Sequence, residues 1–122
     1  MAMNWTYQSS RGVSVLQLRG YLGASALARF SGAVGWALAR HTGPVVIDLT
    51  CLQGCSASGV AALGEAAQRA AAADRVLAVC GSHGSAALPS ERDRPVAIPA
   101  YADLKAAVTA LSPRQREVLS PG

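Results

Sequence analysis

The first twenty residues contain two short segments, residues 4–8 and 13–19, in which apolar side chains are interspersed with polar ones, as is typical of strands. Between them, Ser9-Ser10-Arg11-Gly12 has the composition of a tight turn. The pattern predicts an opening β-hairpin. Gly20-Tyr21-Leu22-Gly23 then ends the second strand.

A helical period follows. Ser25 is placed to cap a helix that runs to about His41, before Gly43-Pro44 ends it. One face of this predicted helix is apolar at the spacing of a stripe buried against a sheet: Leu27, Phe30, Val34, Leu38 and His41. Trp36 falls on the opposite face, beside Arg29 and Arg40.

The middle of the chain predicts a strand, a connection and a second helix. Val45-Val46-Ile47-Asp48-Leu49 is a short apolar run rich in β-branched residues, which is typical of a central strand. Residues 50–55 then form the connection, and a helix over about 58–73 turns Val60, Leu63, Ala67 and Ala70 inward and a Glu65–Arg69 pair outward. A strand over 76–80 follows.

The last third predicts shorter elements. Residues 82–88 have the composition of one or two helical turns, 89–95 of a charged loop and 96–98 of a short strand. Tyr101, Leu104, Val108 and Leu111 mark a final amphipathic helix. The fold class is therefore α/β, with a mixed sheet of an opening hairpin and then parallel strands, packed by about four helices. The domain spans 1–111, and 112–122 form a polar tail.

Composition limits the classes of function. With 122 residues, 51% hydrophobic and 15% charged, the chain fits one globular domain and is too apolar for a disordered protein. No apolar run has the length of a membrane span, and the first residues lack a signal-peptide pattern, so we expect a cytoplasmic protein that does not bind membranes. The net charge of +4 comes from arginines scattered along the chain, which does not favour direct binding of nucleic acid.

Catalytic and metal-binding patterns are weak. Gly54-Cys55-Ser56-Ala57-Ser58-Gly59 lies between a strand and a helix, as a nucleophile elbow does, but Ser58 stands where the second glycine of G-x-S-x-G belongs. His41 and His83 fit structural roles, and Cys51, Cys55 and Cys80 form neither a disulfide framework nor a zinc pattern. We expect a protein that is not an enzyme and holds no cofactor or metal, with a small hydrolase using Ser56 or Ser58 as a rival interpretation.

Ser56 and Ser58 both lie near the predicted start of the second helix. At the start of a helix near residue 58, one hydroxyl serves as the N-cap. The other then lies where unpaired backbone N–H groups and the positive end of the helix dipole favour a phosphate.

The same segment resembles a known family. Val45 to Thr50, the connecting residues 51–57 and Ser58-Gly59-Val60-Ala61-Ala62-Leu63 are similar to the signature of STAS domains of the anti-sigma-factor antagonist type: an apolar strand ending D-L-S, a loop, then D-S-S-G-L. The resemblance continues through Val13 to Gly20 and through Ala100 to Ala107. It implies an antagonist that binds an anti-sigma factor, a serine kinase of the histidine-kinase-like ATPase fold, and so frees a sigma factor. It also implies that Ser58 corresponds to the serine that this kinase phosphorylates.

The chain departs from the family pattern in three places. Ser56 replaces the aspartate of D-S-S-G, Ala57 replaces the first serine, and Gly23 replaces the aspartate that ends a G-x-x-D stretch. An acidic pocket is therefore missing. This departure keeps a second interpretation open, in which the protein is a STAS-like scaffold or subunit of a larger assembly that is never phosphorylated; a homodimer also stays open.

We expect the partner-binding surface to be nearly neutral and built of small residues, so that a partner approaches without burying unpaired charge. Its predicted members are Gly20, Tyr21, Leu22, Gly23, Ser25, Gly54, Cys55, Ser56, Ala57, Ser58 and Gly59. Trp36, flanked by Arg29 and Arg40, is a second predicted contact, because an exposed tryptophan beside arginine has the composition of an interface hot spot.

Overall fold

A hairpin at the start of the chain forms one edge of a six-stranded sheet. The computed structural model describes residues 3–40, 42–81 and 98–112. Strand β1 (Met3–Ser10) pairs antiparallel with β2 (Val13–Leu22). The two residues between them, Arg11 and Gly12, have φ of 53° and 78°. Two positive φ values in a two-residue connection match the twist of the flanking strands, so the predicted hairpin is confirmed.

The remaining strands are β3 (Val45–Asp48), β4 (Leu52–Cys55), β5 (Leu77–Cys80) and β6 (Ala100–Tyr101). The sheet has the order β1-β2-β3-β5-β6, and β4 lies beside the end of β2. All pairs except β1–β2 are parallel. The predicted mixed sheet is thus correct.

Strand β4 was predicted as part of a connection. It extends the sheet beyond β3 by pairing with the end of β2, where the register shifts between Gly20 and Tyr21. Four residues that include a glycine carry no period of two, so the strand follows from its partner and not from its own sequence.

Three α-helices pack on the sheet within the described residues: α1 (Leu27–Arg40), α2 (Ala57–Ala72) and α3 (Leu104–Leu111). The predicted number of about four is not matched. The helical turns predicted over 82–88, the charged loop 89–95 and the tail from 113 onwards lie outside the described residues, as do His41 and His83. Of the strand predicted over 96–98, only Ile98 is described, and it is not in a strand.

The helices cover the two faces of the sheet unequally. Helices α1 and α2 lie on one face, over a large core that includes Phe30, Leu18 and Leu63. Helix α3 packs on the other face against a smaller cluster that includes Val13 and Val46. Each large aliphatic side chain buried in these cores contributes on the order of 1.5–3 kcal/mol to folding. The stripes predicted for α1 and α2 are confirmed in part. Their members in the larger core are Phe30, Val34, Leu63, Ala67 and Ala70, and Leu38 packs against it. Leu27 and Val60 are only partly buried.

The entry into α1 differs from the prediction. A short 3₁₀ turn, Ala24–Ala26, precedes the helix, and Gly23 takes the N-cap position. The backbone N–H of Ala26 donates to the carbonyl of Gly23 at 2.9 Å. Ser25 therefore lies inside the turn with an exposed side chain and does not cap α1.

Candidate functional site

Ser58 is the second residue of α2, and its side chain is exposed. The N-cap is Ser56, whose Oγ accepts a hydrogen bond from the backbone N–H of Gly59 at 3.1 Å. The carbonyl of Ser56 accepts the first helical bond, from Val60, at 2.9 Å. The sequence left the two serines interchangeable, and the structure gives them different roles. Among the described residues, the Ser58 hydroxyl has no hydrogen-bond partner, and it lies beside first-turn N–H groups that have no intrahelical partner.

The start of α2 is tied directly to the end of β2. The N–H of Ser56 donates to the carbonyl of Leu22 at 3.0 Å. Gly59 also lies close to Cys55, the last residue of β4, because a Cβ on Gly59 would stand 2.7 Å from Cys55 Sγ. Only glycine permits this approach, so the backbone around Ser58 has a fixed place relative to the sheet.

Three residues predicted to contact a partner are buried: Leu22, Gly23 and Gly59. The side chain of Leu22 belongs to the larger core, and the two glycines have no side chain to present. These three residues therefore lie beneath the surface and support the residues that form it. Tyr21, Ser25, Ala57 and Ser58 are exposed, while Gly20, Gly54, Cys55 and Ser56 are partly exposed.

Tyr21 has an unusual position on this surface. Its ring lies against both Gly23 and Gly54, and a Cβ on Gly54 would be 2.9 Å from Tyr21 Cε1. The side chain is 36% exposed, so one part of the ring covers the two glycines and the other faces solvent. Tyr21 thus supplies a fixed apolar surface next to the start of α2.

The two chain segments that meet around Ser58 carry no formal charge. Residues 20–28 and 49–64 contain no acidic or basic side chain. Burial raises the pKa of the Cys55 thiol, which keeps that group neutral as well. A partner that covers this surface would not have to strip water from an ion.

Ser58 also opens onto a groove of about 470 Å³ between α1 and α2. The end of the groove near Ser58 is lined by small side chains, among them Ala28, Ala61 and Ala62, and the charged residues that line the groove are Glu65 and Arg69. At its far end, Arg69 reaches from α2 to α1 and donates to the carbonyl and hydroxyl of Ser31 at 3.2 and 3.3 Å. Arg69 makes these bonds instead of the predicted pair with Glu65, and so connects the two helices.

Asp48 supports the site from within the sheet. It is 3% exposed and accepts hydrogen bonds from the Thr50 hydroxyl at 2.6 Å, from the Thr50 N–H at 3.0 Å and from Gln17 at 3.2 Å. Burial alone would raise the pKa of this carboxyl, but the bonds from Thr50, Gln17 and Cys80 together hold the pKa below its ordinary value. The carboxylate therefore stays ionised and fixes the turn between β3 and β4.

Cys80 lies beside this carboxylate. Its Sγ donates to Asp48 Oδ1 at 3.5 Å, and burial together with the neighbouring charge raises the pKa of the thiol to about 12. A thiol held neutral in this way is a poor nucleophile. The sequence showed Asp48 and Cys80 but not their contact, which the parallel pairing of β3 with β5 creates.

The described residues contain no catalytic arrangement around the two serines. Ser56 is engaged as the cap, and Ser58 has no hydrogen bond to a carboxylate of the described residues, which include neither histidine. Across residues 3–40, 42–81 and 98–112, no group of histidine, cysteine, aspartate or glutamate is arranged to hold a metal ion.

Trp36 lies on the side of α1 that faces β1. Its ring is 4.8 Å from that of Tyr7 and 5.6 Å from that of Trp5, measured between centroids, and the Arg40 guanidinium lies 4.6 Å above it. The groove beside Ser58 is lined by the other side of α1. The two predicted contact regions are therefore on different surfaces.

No described helix combines the length and the apolarity needed to cross a membrane.

Comparisons with known proteins agree with this architecture. A family model described as "Mlab, STAS domain" matches residues 5–88. The search of curated proteins gave no match. Among solved structures, a putative anti-sigma factor antagonist from Thermotoga maritima superposes with a TM-score of 0.72 at 10% identity, covering 88% of this chain and 93% of that one.

Two further structures are similar. An anti-sigma factor antagonist from Mycobacterium paratuberculosis has a TM-score of 0.67 at 19% identity, over 90% of this chain and 94% of that one. The anti-sigma factor antagonist SpoIIAA in its unphosphorylated form has a TM-score of 0.63 at 14% identity, over 88% and 96% of the two chains. At these identities the likeness shows a shared fold.

Proposed function

We propose that this chain, which belongs to the STAS domain family, is an anti-sigma-factor antagonist. It binds an anti-sigma factor, a serine kinase of the histidine-kinase-like ATPase fold, and binding releases the sigma factor that the kinase had held. The protein performs this role in the cytoplasm, without catalysis of its own. The structural neighbours described as anti-sigma factor antagonists support the general role.

The observation that carries the proposal is the exposed Ser58 hydroxyl at the N-terminus of α2, within an uncharged surface of small residues. Such a surface admits close contact with little desolvation cost. The firm attachment of α2 to Leu22 keeps the surface preformed, so a partner does not have to order it on binding.

Phosphorylation of Ser58 is the proposed switch. The kinase transfers the γ-phosphoryl group of ATP to Ser58 Oγ, the hydroxyl proton leaves, and ADP is released. The product carries about −1.5 to −2 charges, which the N–H groups of the first helical turn stabilise locally. A partner surface that fitted the neutral form would then have to bury this charge, so the complex dissociates.

A second function is favoured by one observation. The Tyr21 ring lies over Gly23, where phospho-regulated relatives are expected to carry an aspartate, and Ser56 serves as a cap where the other aspartate is expected. A chain without this acidic pair suits a STAS-like subunit of a larger assembly that is never phosphorylated. In that case Ser58→Ala and Ser58→Asp behave alike in every assay.

The experiment that tests the proposal is intact mass measurement after incubation of the pure protein with ATP and the kinase-like proteins of the same cell. We expect a gain of one phosphoryl group that maps to Ser58. The Ser58→Ala variant should gain none, and the control variant Ser9→Ala, which removes an exposed hydroxyl of β1 outside this surface, should be modified as the parent is. No gain in the parent protein would exclude the switch and leave the subunit role.

A further inference from the structure

The net positive charge of the protein is confined to the part that forms β1, β2 and α1. Residues 1–47 contain four arginines and no acidic residue. Residues 48–122 contain seven basic and seven acidic residues, so their charges balance. The fold then places two of the four arginines, Arg29 and Arg40, along the outer side of the sheet with β1.

These two arginines border an aromatic cluster. Trp36 is 42% exposed, and Trp5 and Tyr7 of β1 lie against it with part of their surface free. Arg40 covers one face of the Trp36 ring. Arg29 donates from Nη1 to the carbonyl of Met3 at 3.0 Å, which places its guanidinium at the beginning of β1. We call these five side chains, Trp5, Tyr7, Arg29, Trp36 and Arg40, the β1–α1 edge.

Strand β1 is also an edge strand of the sheet. Within the described residues it pairs with β2 alone, so the row of N–H and C=O groups on its outer side has no neighbouring strand. Its eight residues include no charged side chain and no proline. Natural edge strands usually carry such residues to prevent another strand from adding, and their absence here leaves a template for strand addition.

We propose that the β1–α1 edge binds an extended, acidic segment of a protein partner, which adds to β1 as a further strand. The backbone of the segment would pair with the free side of β1, and its carboxylates would pair with Arg29 and Arg40. Because successive side chains of a strand point to opposite faces, the residues between the carboxylates would project from the face of the sheet away from α1. This site lies on the side of α1 away from the Ser58 groove, and the inference does not depend on the proposed function.

The charge pattern favours this occupant over others. A second copy of the chain would bring the same arginines together without an acid on β1, β2 or α1 to offset them. Nucleic acid requires several cations converging on one surface, and this edge supplies two. An acidic strand satisfies both the unpaired backbone and the uncompensated charge.

The test uses the full chain and two blocked peptides, one of alternating valine and glutamate and one of alternating valine and lysine. Binding is followed by tryptophan emission, and amide hydrogen exchange locates the bound peptide. We expect only the glutamate peptide to bind, and we expect it to slow amide hydrogen exchange in β1 and nowhere else in the protein. The double substitution Arg29→Gln with Arg40→Gln should weaken binding about tenfold. The control substitution Lys105→Gln, which removes a positive charge from α3 on the other face of the sheet, should leave the affinity unchanged.

Other outcomes overturn the proposal. Equal binding of both peptides, or protection outside β1, would show that the edge does not select an acidic strand. Failure of the glutamate peptide to bind would do the same. Binding of a DNA duplex or of anionic vesicles at this edge, or concentration-dependent dimerisation that protects β1, would replace the proposed occupant by nucleic acid, a membrane or a second copy. Thermal melts of each variant verify that it is folded.

Discussion

The ring of Tyr21 covers Gly23 so closely that a Cβ on residue 23 would lie 2.6 Å from Tyr21 Cε2. The backbone of Gly23 has φ of −123°, which any residue adopts, so the constraint on this position is the ring and not the backbone. The place where the family resemblance implies an aspartate is thus filled by an aromatic side chain. The absence of an acidic pocket is built into the packing of the site.

We predict that Gly23→Asp destabilises the protein by about 1–3 kcal/mol, because the new side chain must displace the Tyr21 ring. In the Tyr21→Ala background the same substitution should cost less, with a coupling of at least roughly 0.5 kcal/mol. Urea unfolding of the parent, Gly23→Asp, Tyr21→Ala and the double variant measures both the cost of Gly23→Asp and its coupling to Tyr21. Equal costs in the two backgrounds would mean that the ring does not hold the position.

The two serines at the start of α2 should differ in their effect on stability. We predict that Ser56→Ala lowers the free energy of unfolding by about 1 kcal/mol, because the N-cap bond to Gly59 is lost. Ser58→Ala should change it by less than about 0.5 kcal/mol, since the exposed hydroxyl makes no such bond. Denaturant titrations of both variants measure the free energy of unfolding. A larger loss for Ser58→Ala than for Ser56→Ala would reverse the assignment of the cap.

Asp48 should make stability depend on pH in acid. Its pKa is lower in the folded protein than in the unfolded chain, so its contribution is present above the unfolded value of 3.8 and is lost as the pH falls through the folded pKa. We predict that Asp48→Asn destabilises the protein by about 1–3 kcal/mol at neutral pH. The variant should also show a shallower loss of stability below pH 3.8. Unfolding curves from neutral to strongly acidic pH measure this, and parallel curves for parent and variant would contradict it.

The cysteines should differ in reactivity. Cys51 is exposed, whereas Cys80 is buried beside Asp48 with a thiol pKa raised to about 12. Because the thiolate is the reactive form, we predict that iodoacetamide at pH 8 modifies Cys51 in the folded protein and reaches Cys80 only after unfolding. Peptide mapping by mass spectrometry identifies the modified residue. Equal labelling rates for Cys51 and Cys80 in the folded protein would show that the end of β5 is open to solvent.

The parts of this fold that the sequence predicts are those in which the pattern is local. The hairpin follows from two strand-like segments around a turn, the strand at Val45 from a continuous apolar run, and the stripe of α2 from its helical period. Strand β4 and the contact between Asp48 and Cys80 depend on which strands become neighbours, and periodicity does not report that. Ser58 was identified through a family resemblance together with the physics of a helix start. The contact of the Tyr21 ring with Gly23 and Gly54 depends on the pairing of β2 with β4, and no spacing rule indicates it.

In the proposed switch, charge at residue 58 controls binding of an anti-sigma kinase. Its most direct test is the dissociation constant of the complex between the kinase and the parent protein, Ser58→Ala and Ser58→Asp, measured by titration calorimetry. We predict that the parent and Ser58→Ala bind equally, and that Ser58→Asp binds about tenfold more weakly or not at all. Equal affinity of Ser58→Asp and Ser58→Ala, or no complex with any of the three proteins, would contradict the account.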